Sequence, residues 1–261
     1  MSVFEGFRFR YIHSPIHQLD PRVKFLYVLI IFGIAIAFLE VLPLVLLFLI
    51  QIPFVLLANV QREWIRSLKG ASFLAILIFV VNFAFGYFGG THPSSMSPWE
   101  YPLAMSLRFL VLVESFSIFF LTTSPDHLSL ALEQSHVPYE FCFAFTTAIR
   151  FVPVLAEEAQ TIMDAQKARG LELERGNFLK RVKNYIPILI PLIVSAIRRS
   201  LELAEAMESR AWGATEKRTN LYLLKMKSAD YTLIIVSLGM LICSIYVRLY
   251  ISVPSLTILL T

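Results

Sequence analysis

An all-α membrane protein, with about five transmembrane helices and a cytoplasmic platform of amphipathic helices, is what this sequence predicts. Three observations carry the prediction. Of 261 residues, 57% are hydrophobic and 16% are charged, whereas soluble domains average about 25% charged. The apolar residues gather in runs near the roughly 20 positions a helix needs to cross a bilayer. The Lys and Arg residues gather in alternate connections between those runs.

The first run is Val23 to Leu39, broken by Glu40, and the second follows at once from Val41 to Val60, with Pro43 near its start. The pair predicts a tight hairpin across the membrane. A third run covers Gly70 to Gly90 and a fourth Leu103 to Thr122, joined by a polar stretch from Thr91 to Pro102 rich in Ser and Pro. The fifth is Tyr231 to Tyr250. At 1.5 Å of rise per residue, each is long enough for about 30 Å of hydrocarbon.

With the N-terminus inside, segments 1–24, 61–69 and 123–229 carry 4, 3 and 14 Lys plus Arg, which is 21 of the 23 in the chain. The outside connections carry none, and Arg108 and Arg248 fall near predicted outer ends, within snorkelling reach of the interface. The asymmetry predicts a cytoplasmic N-terminus and a cytoplasmic segment 123–229. Ala35-Ile36-Ala37 has the spacing of a leader-cleavage site, but over twenty residues including Glu5 and Asp20 precede the run, and hydrophobicity resumes directly after it. The expected organisation is therefore 1–122 with four spans, 123–229 as a helical platform, and 230–261 with the fifth span and a tail.

Within 123–229 the pattern turns amphipathic. Ser124 is an N-cap and Pro125 a first helical residue for a short helix through Glu133 that stops before Pro138. A second helix covers Tyr139 to about Arg169, kinked or interrupted near Pro153, with Gly170 where a left-handed cap is wanted. A third runs from Phe178 through the apolar Ile186 to Ile197 stretch to about Arg210, shortly before Gly213. On it Ile190, Ile193, Ile197, Leu201, Ala204 and Ala211 form one apolar stripe, with Arg198, Arg199, Glu202, Glu205 and Glu208 opposite. Pro187 and Pro191 mark a segment lying at or entering the membrane interface.

The two long helices end in similar tripeptides, Ala168-Arg169-Gly170 and Ser209-Arg210-Ala211. An Arg in a last turn projects past the helix end, and its planar fork of donors suits a carboxylate on a docking partner. The same Arg also complements the helix dipole and caps orphan carbonyls, worth about 0.3–1 kcal/mol at an exposed site. The recurrence of the feature on two long helices favours docking.

These residues resemble a known family, the transmembrane (T) component of energy-coupling factor (ECF) transporters of the cobalt, nickel and vitamin uptake type. The resemblance covers nearly the whole chain. It includes Ser14-Pro15-Ile16-His17-Gln18-Leu19-Asp20-Pro21-Arg22-Val23-Lys24, then Leu121-Thr122-Thr123-Ser124-Pro125. Its most specific part is Arg150-Phe151-Val152-Pro153-Val154-Leu155 leading through Glu157-Glu158-Ala159-Gln160 to Asp164-Ala165-Gln166-Lys167-Ala168-Arg169-Gly170. The resemblance implies that the helices of the platform are coupling helices. Arg169 and Arg210 would then dock with their tripeptides into grooves on two ABC-type ATPase subunits. The second tripeptide departs from the pattern, because Ala211 stands where Gly is frequent, so a milder role is expected of Arg210. The family also implies a small substrate-binding membrane partner, the S component, for a vitamin or transition-metal ion, in the cell membrane of a prokaryote. No cofactor is implied.

The remaining chemistry agrees with a non-catalytic subunit. No Gly-x-x-x-x-Gly-Lys-Ser/Thr phosphate loop occurs, so ATP is handled elsewhere. The net charge of +4 does not point to nucleic acid, since the basic residues follow membrane sides and no nucleic-acid module is present. Cys142 and Cys243 read as buried thiols. His13 and His17 share a four-residue spacing but lack further ligands for a metal, and Pro15 interrupts them; His92, His127 and His136 stand alone. Glu114 lies mid-span, as a functional carboxyl or as a bundle-facing contact to a Ser. Asn82 reads as interhelical glue. A membrane enzyme of phospholipid metabolism is the alternative, because Ala-Arg occurs in CDP-alcohol phosphotransferases. Yet Ala165, Phe178, Val182 and Ile186 replace the Gly and Asp residues which that site requires. A secondary transporter would show inverted halves and intramembrane charges, which are scarce here.

Overall fold

The computed structural model describes residues 14–88, 99–172, 177–214, 224 and 226–250, so His13 and His92 lie outside it. Among these residues are eight helices and no strand: α1 Pro21–Ala37, α2 Val41–Ala58, α3 Gln61–Tyr87, α4 Glu100–Thr122, α5 Pro125–Gln134, α6 Tyr139–Ala168, α7 Phe178–Glu208 and α8 Ser228–Tyr250. The protein is an all-α, multi-pass membrane protein. It divides into two compact units, one containing α6 and α7 and the other containing the remaining helices.

Five helices are long and apolar enough to cross a membrane: α2, α3, α4, α6 and α8. The expected set contained α1 in place of α6. Pro21 opens α1 and an extended Phe38 closes it after 17 residues, about 25 Å of helix. In contrast, Pro153 does not interrupt α6, whose 30 residues include an apolar first half. Of the kink or interruption expected near Pro153, the interruption is absent. A second correction concerns α3, which begins at Gln61 rather than Gly70. Left-handed Asn59, with φ of 57°, ends α2, and the basic run 61–69 forms the opening turns of the next helix because it holds neither Pro nor Gly before Gly70.

In the larger unit α1 is wrapped by α4 and α8. Ile31 and Ala35 of α1, Leu44 of α2 and Val111 of α4 are fully buried in one cluster. Lipid tails are as apolar as these side chains, so close packing and internal polar contacts, rather than transfer from water, hold such a bundle together. One set of contacts sits at the corner between α1 and α2. Arg108 donates to the Phe38 carbonyl, and Arg248 reaches the Glu40 carboxylate at 3.3 Å. Both arginines are therefore anchored to the hairpin corner. Two side chains read otherwise from sequence. Asn82 donates back to Ile78 of its own helix at 2.8 Å instead of crossing to a neighbour. Cys243 is exposed while Cys142 is buried, since apolar neighbours on a span are as often lipid-facing as internal.

Candidate functional site

The candidate site lies on α6 and α7. Their contacts follow an antiparallel register. Near the connection between them, Asn184 donates to the Glu172 carbonyl at 2.8 Å and Gln166 donates to the Pro187 carbonyl at 3.4 Å. Pro191 has no N–H to offer the carbonyl four residues before it, and that carbonyl is the one Gln166 reaches. Midway, Glu158 accepts from Ser195 and from Arg199, the latter at 3.3 Å. The Arg199 guanidinium also lies 5.9 Å from the Phe151 ring. At the far end, Trp212 packs on Tyr139 and Phe143 with ring centres 5.5 and 4.7 Å apart.

The face α7 turns inward along this hairpin carries Ile188, Leu192, Ser195, Arg199, Leu203 and Met207, all buried or half-buried. The stripe expected from sequence is not this one. Ile190, Ile193, Ile197 and Leu201 are 56, 49, 56 and 60% exposed, and Ala204 and Ala211 are exposed too. Periodicity found an apolar face, but the inward one is interrupted by Ser195 and Arg199, which serve Glu158.

The two tripeptides close their helices in the same way. After α6, Leu171 N–H bonds the Gln166 carbonyl at 3.0 Å and Gly170 N–H bonds Lys167 at 2.9 Å. After α7, Trp212 N–H bonds Met207 at 3.0 Å and Ala211 N–H bonds Glu208 at 2.9 Å. Both patterns are Schellman motifs, with Gly170 (φ 88°) and Ala211 (φ 58°) at the left-handed position. The Ala211 departure thus leaves the backbone exit unchanged, which removes the ground for expecting less of Arg210. Backbone N–H groups already satisfy these carbonyls, so neither guanidinium is needed as a cap. Arg169 and Arg210 are exposed, and neither guanidinium has a hydrogen-bond or ion-pair partner among the described residues. In the antiparallel register they stand at opposite ends of the hairpin, roughly 40 Å apart at 1.5 Å per residue. A left-handed Ala costs about 1 kcal/mol more than Gly, so Ala211→Gly is expected to raise stability by about that amount, read from thermal melts.

The N-terminal motif does different work. Asp20 caps α1 through Arg22 N–H at 2.9 Å, while its own N–H donates to Asp230 Oδ1 at 2.8 Å. Asp230 Oδ2 accepts from Lys227 N–H at 2.7 Å. Lys24 Nζ donates to the Thr122 carbonyl at 2.8 Å and Arg22 to Gln134 Oε1 at 2.6 Å. The motif therefore ties the start of α1 to the ends of α4 and α5 and to the start of α8. Sequence reasoning missed Asp230, although a lone acid at the head of a span was the available signal.

Within this clasp His17 Nδ1 meets Ser14 Oγ at 2.7 Å. Burial, then the nearby Lys24 charge, pushes the His17 imidazole below its ordinary 6.5. A folded state that binds the proton less tightly than the unfolded one loses stability as pH falls. Melting temperature is accordingly expected to drop as pH is lowered through and below about 6.5, and His17→Gln to flatten that dependence. Glu114 is 1% exposed, and neither carboxyl oxygen has a hydrogen-bond partner among the described residues, nor has Ser115 Oγ. The contact to a Ser is therefore not made.

Comparison with known proteins places this geometry. The family model for CbiQ, described as cobalt transport protein, matches residues 13–221, which include both arginine tips and the Asp20, Arg22 and Lys24 side of the clasp. The chain belongs to the CbiQ family. Among curated CbiQ-like relatives, the energy-coupling factor transporter transmembrane protein EcfT of Clostridium kluyveri is 34% identical over 260 residues, covering 91% of this chain and 94% of its own. The protein of the same name from Acidaminococcus fermentans is 34% identical with 90% and 93% covered. That of Lactococcus lactis subsp. cremoris is 34% identical with 85% and 89% covered.

Proposed function

We propose that this CbiQ-family chain is the T component of an ECF transporter, and that it passes ATP-driven motion from two separate ABC-type ATPase subunits to a substrate-binding S component. The reading rests on one observation above others: two exposed, unpaired arginines on matching caps at opposite ends of one hairpin. Each presents a cation to one partner, and the register separates the two by roughly the length of a helix of 26 residues. The curated relatives, named for the energy-coupling factor transporter, support the same assignment.

In this mechanism the chain performs no chemistry on ATP. Closure of the ATPases displaces the tips at Arg169 and Arg210, and the hairpin carries that displacement to the S component, whose contact with the platform differs between nucleotide states. Residues 123–229 act as the coupling region and sit with the N-terminus on the cytoplasmic side, in a prokaryotic cell membrane, as the excess of basic residues favours. The cargo is a vitamin or transition-metal ion chosen by the S component. Affinity purification of the chain followed by mass spectrometry is the test. Two ATPase subunits and a small membrane protein are expected in the complex; recovery with no ATPase would reject the proposal. Cysteine labelling of Ser209→Cys from the outside of intact cells would reject the orientation.

A further inference from the structure

One face of α3 carries two chemistries in series. Arg62, Arg66 and Lys69 are exposed, and further along the helix Phe73, Ile76 and Val80 are 75, 63 and 55% exposed. Steps of four, three, four, three and four residues put all six in one narrow arc at 100° per residue. The opposite face belongs to the protein: Trp64 packs against Phe48 at 6.4 Å, and Ala75 is buried.

The three cations lack counter-charges. None has a carboxylate within ion-pairing distance among the described residues. Arg62 also lies in the first turn of α3, at the positive end of the helix dipole, where a cation is unfavourable and an anion is welcome. From Lys69 to Val80 the helix rises about 16 Å, close to the depth of one leaflet of a roughly 30 Å core. The arc therefore offers a cationic head beside an apolar strip of acyl-chain length.

We propose that this face of α3 binds an anionic phospholipid, its phosphate headgroup held by Arg62, Arg66 and Lys69 and its acyl chain lying along Phe73, Ile76 and Val80. The charge selects an anionic over a zwitterionic headgroup, and the strip selects a lipid over a soluble anion. The site makes no use of the helix tips, so it stands apart from the coupling function.

The test is native mass spectrometry of the full chain released from mixed phosphatidylglycerol and phosphatidylcholine. Wild type is expected to retain phosphatidylglycerol over phosphatidylcholine by on the order of tenfold or more. Arg62→Gln/Arg66→Gln/Lys69→Gln is expected to return to the ratio of the mixture. Should the triple variant fold poorly, Arg66→Gln alone is expected to reduce the preference with helicity unchanged by circular dichroism. Equal retention of both lipids by wild type, or an unchanged preference in a folded triple variant, overturns the proposal. So does inorganic phosphate displacing phosphatidylglycerol at millimolar concentration, which would mean an anion site without a lipid, and so does loss of a protein partner from the triple variant with no change in lipid retention.

Discussion

Arg169→Glu is expected to abolish copurification of the ATPase subunits while leaving membrane insertion and helicity intact. The side chain is exposed on a cap whose carbonyls are bonded by backbone N–H groups, so the substitution removes no internal contact. What changes is the charge offered to a partner. Truncating one member of a buried, hydrogen-bonded charge pair at an interface costs about 2–5 kcal/mol, and reversing the sign adds repulsion. A loss of at least about a hundredfold in affinity follows, measured by pull-down and by substrate uptake in cells. A stable complex with normal uptake would remove Arg169 from the docking role. Arg210→Glu is expected to show a loss of similar size, because Ala211 forms the same cap as Gly170.

The second large effect is on folding. Asp230→Ala should leave little folded protein recoverable from the membrane. Its carboxylate is 1% exposed and accepts from the N–H groups of Asp20 and Lys227, while Lys24 lies close enough to feel its charge. Removing it strands the buried Asp20 N–H and the part-buried Lys227 N–H and takes an acid from near a buried ammonium. Leaving a buried donor without its acceptor costs about 1–3 kcal/mol, and more where a charge has lost its balance. Size-exclusion profiles of the detergent-extracted protein would show the loss as a collapse of the monodisperse peak. Asp230→Asn keeps one acceptor and should fall between; a normal peak for both variants would mean that the clasp is dispensable.

The helices and their tips were legible because local rules dictate them. Gly170 announces a left-handed cap, Ser124 accepts from His127 N–H at 3.3 Å as an N-cap should, and apolar runs mark spans. The errors share a cause. The exposed stripe of α7, the self-bonded Asn82 and the exposed Cys243 all depend on which side of a helix meets protein and which meets something else. On a span both sides are apolar, and on α7 the inward side carries Ser195 and Arg199 while the apolar stripe faces out, so hydrophobicity does not tell the sides apart. The clasp was hidden for a different reason: Asp20 and Asp230 meet across 210 positions, and no periodicity links them. The antiparallel register likewise rests on pairs such as Glu158 with Arg199, 41 positions apart, which no spacing rule links.

The polar bolt at Glu158, Ser195 and Arg199 falls near the middle of the α6/α7 hairpin, with an arginine roughly 20 Å away to either side. Because the bolt joins α6 to α7, the two helices cannot slide past each other there, and a push on one tip is carried by the pair as a single stiff beam. Two motors gripping such a beam would each sense what the other does, and a lone working motor would spend its stroke dragging an idle one.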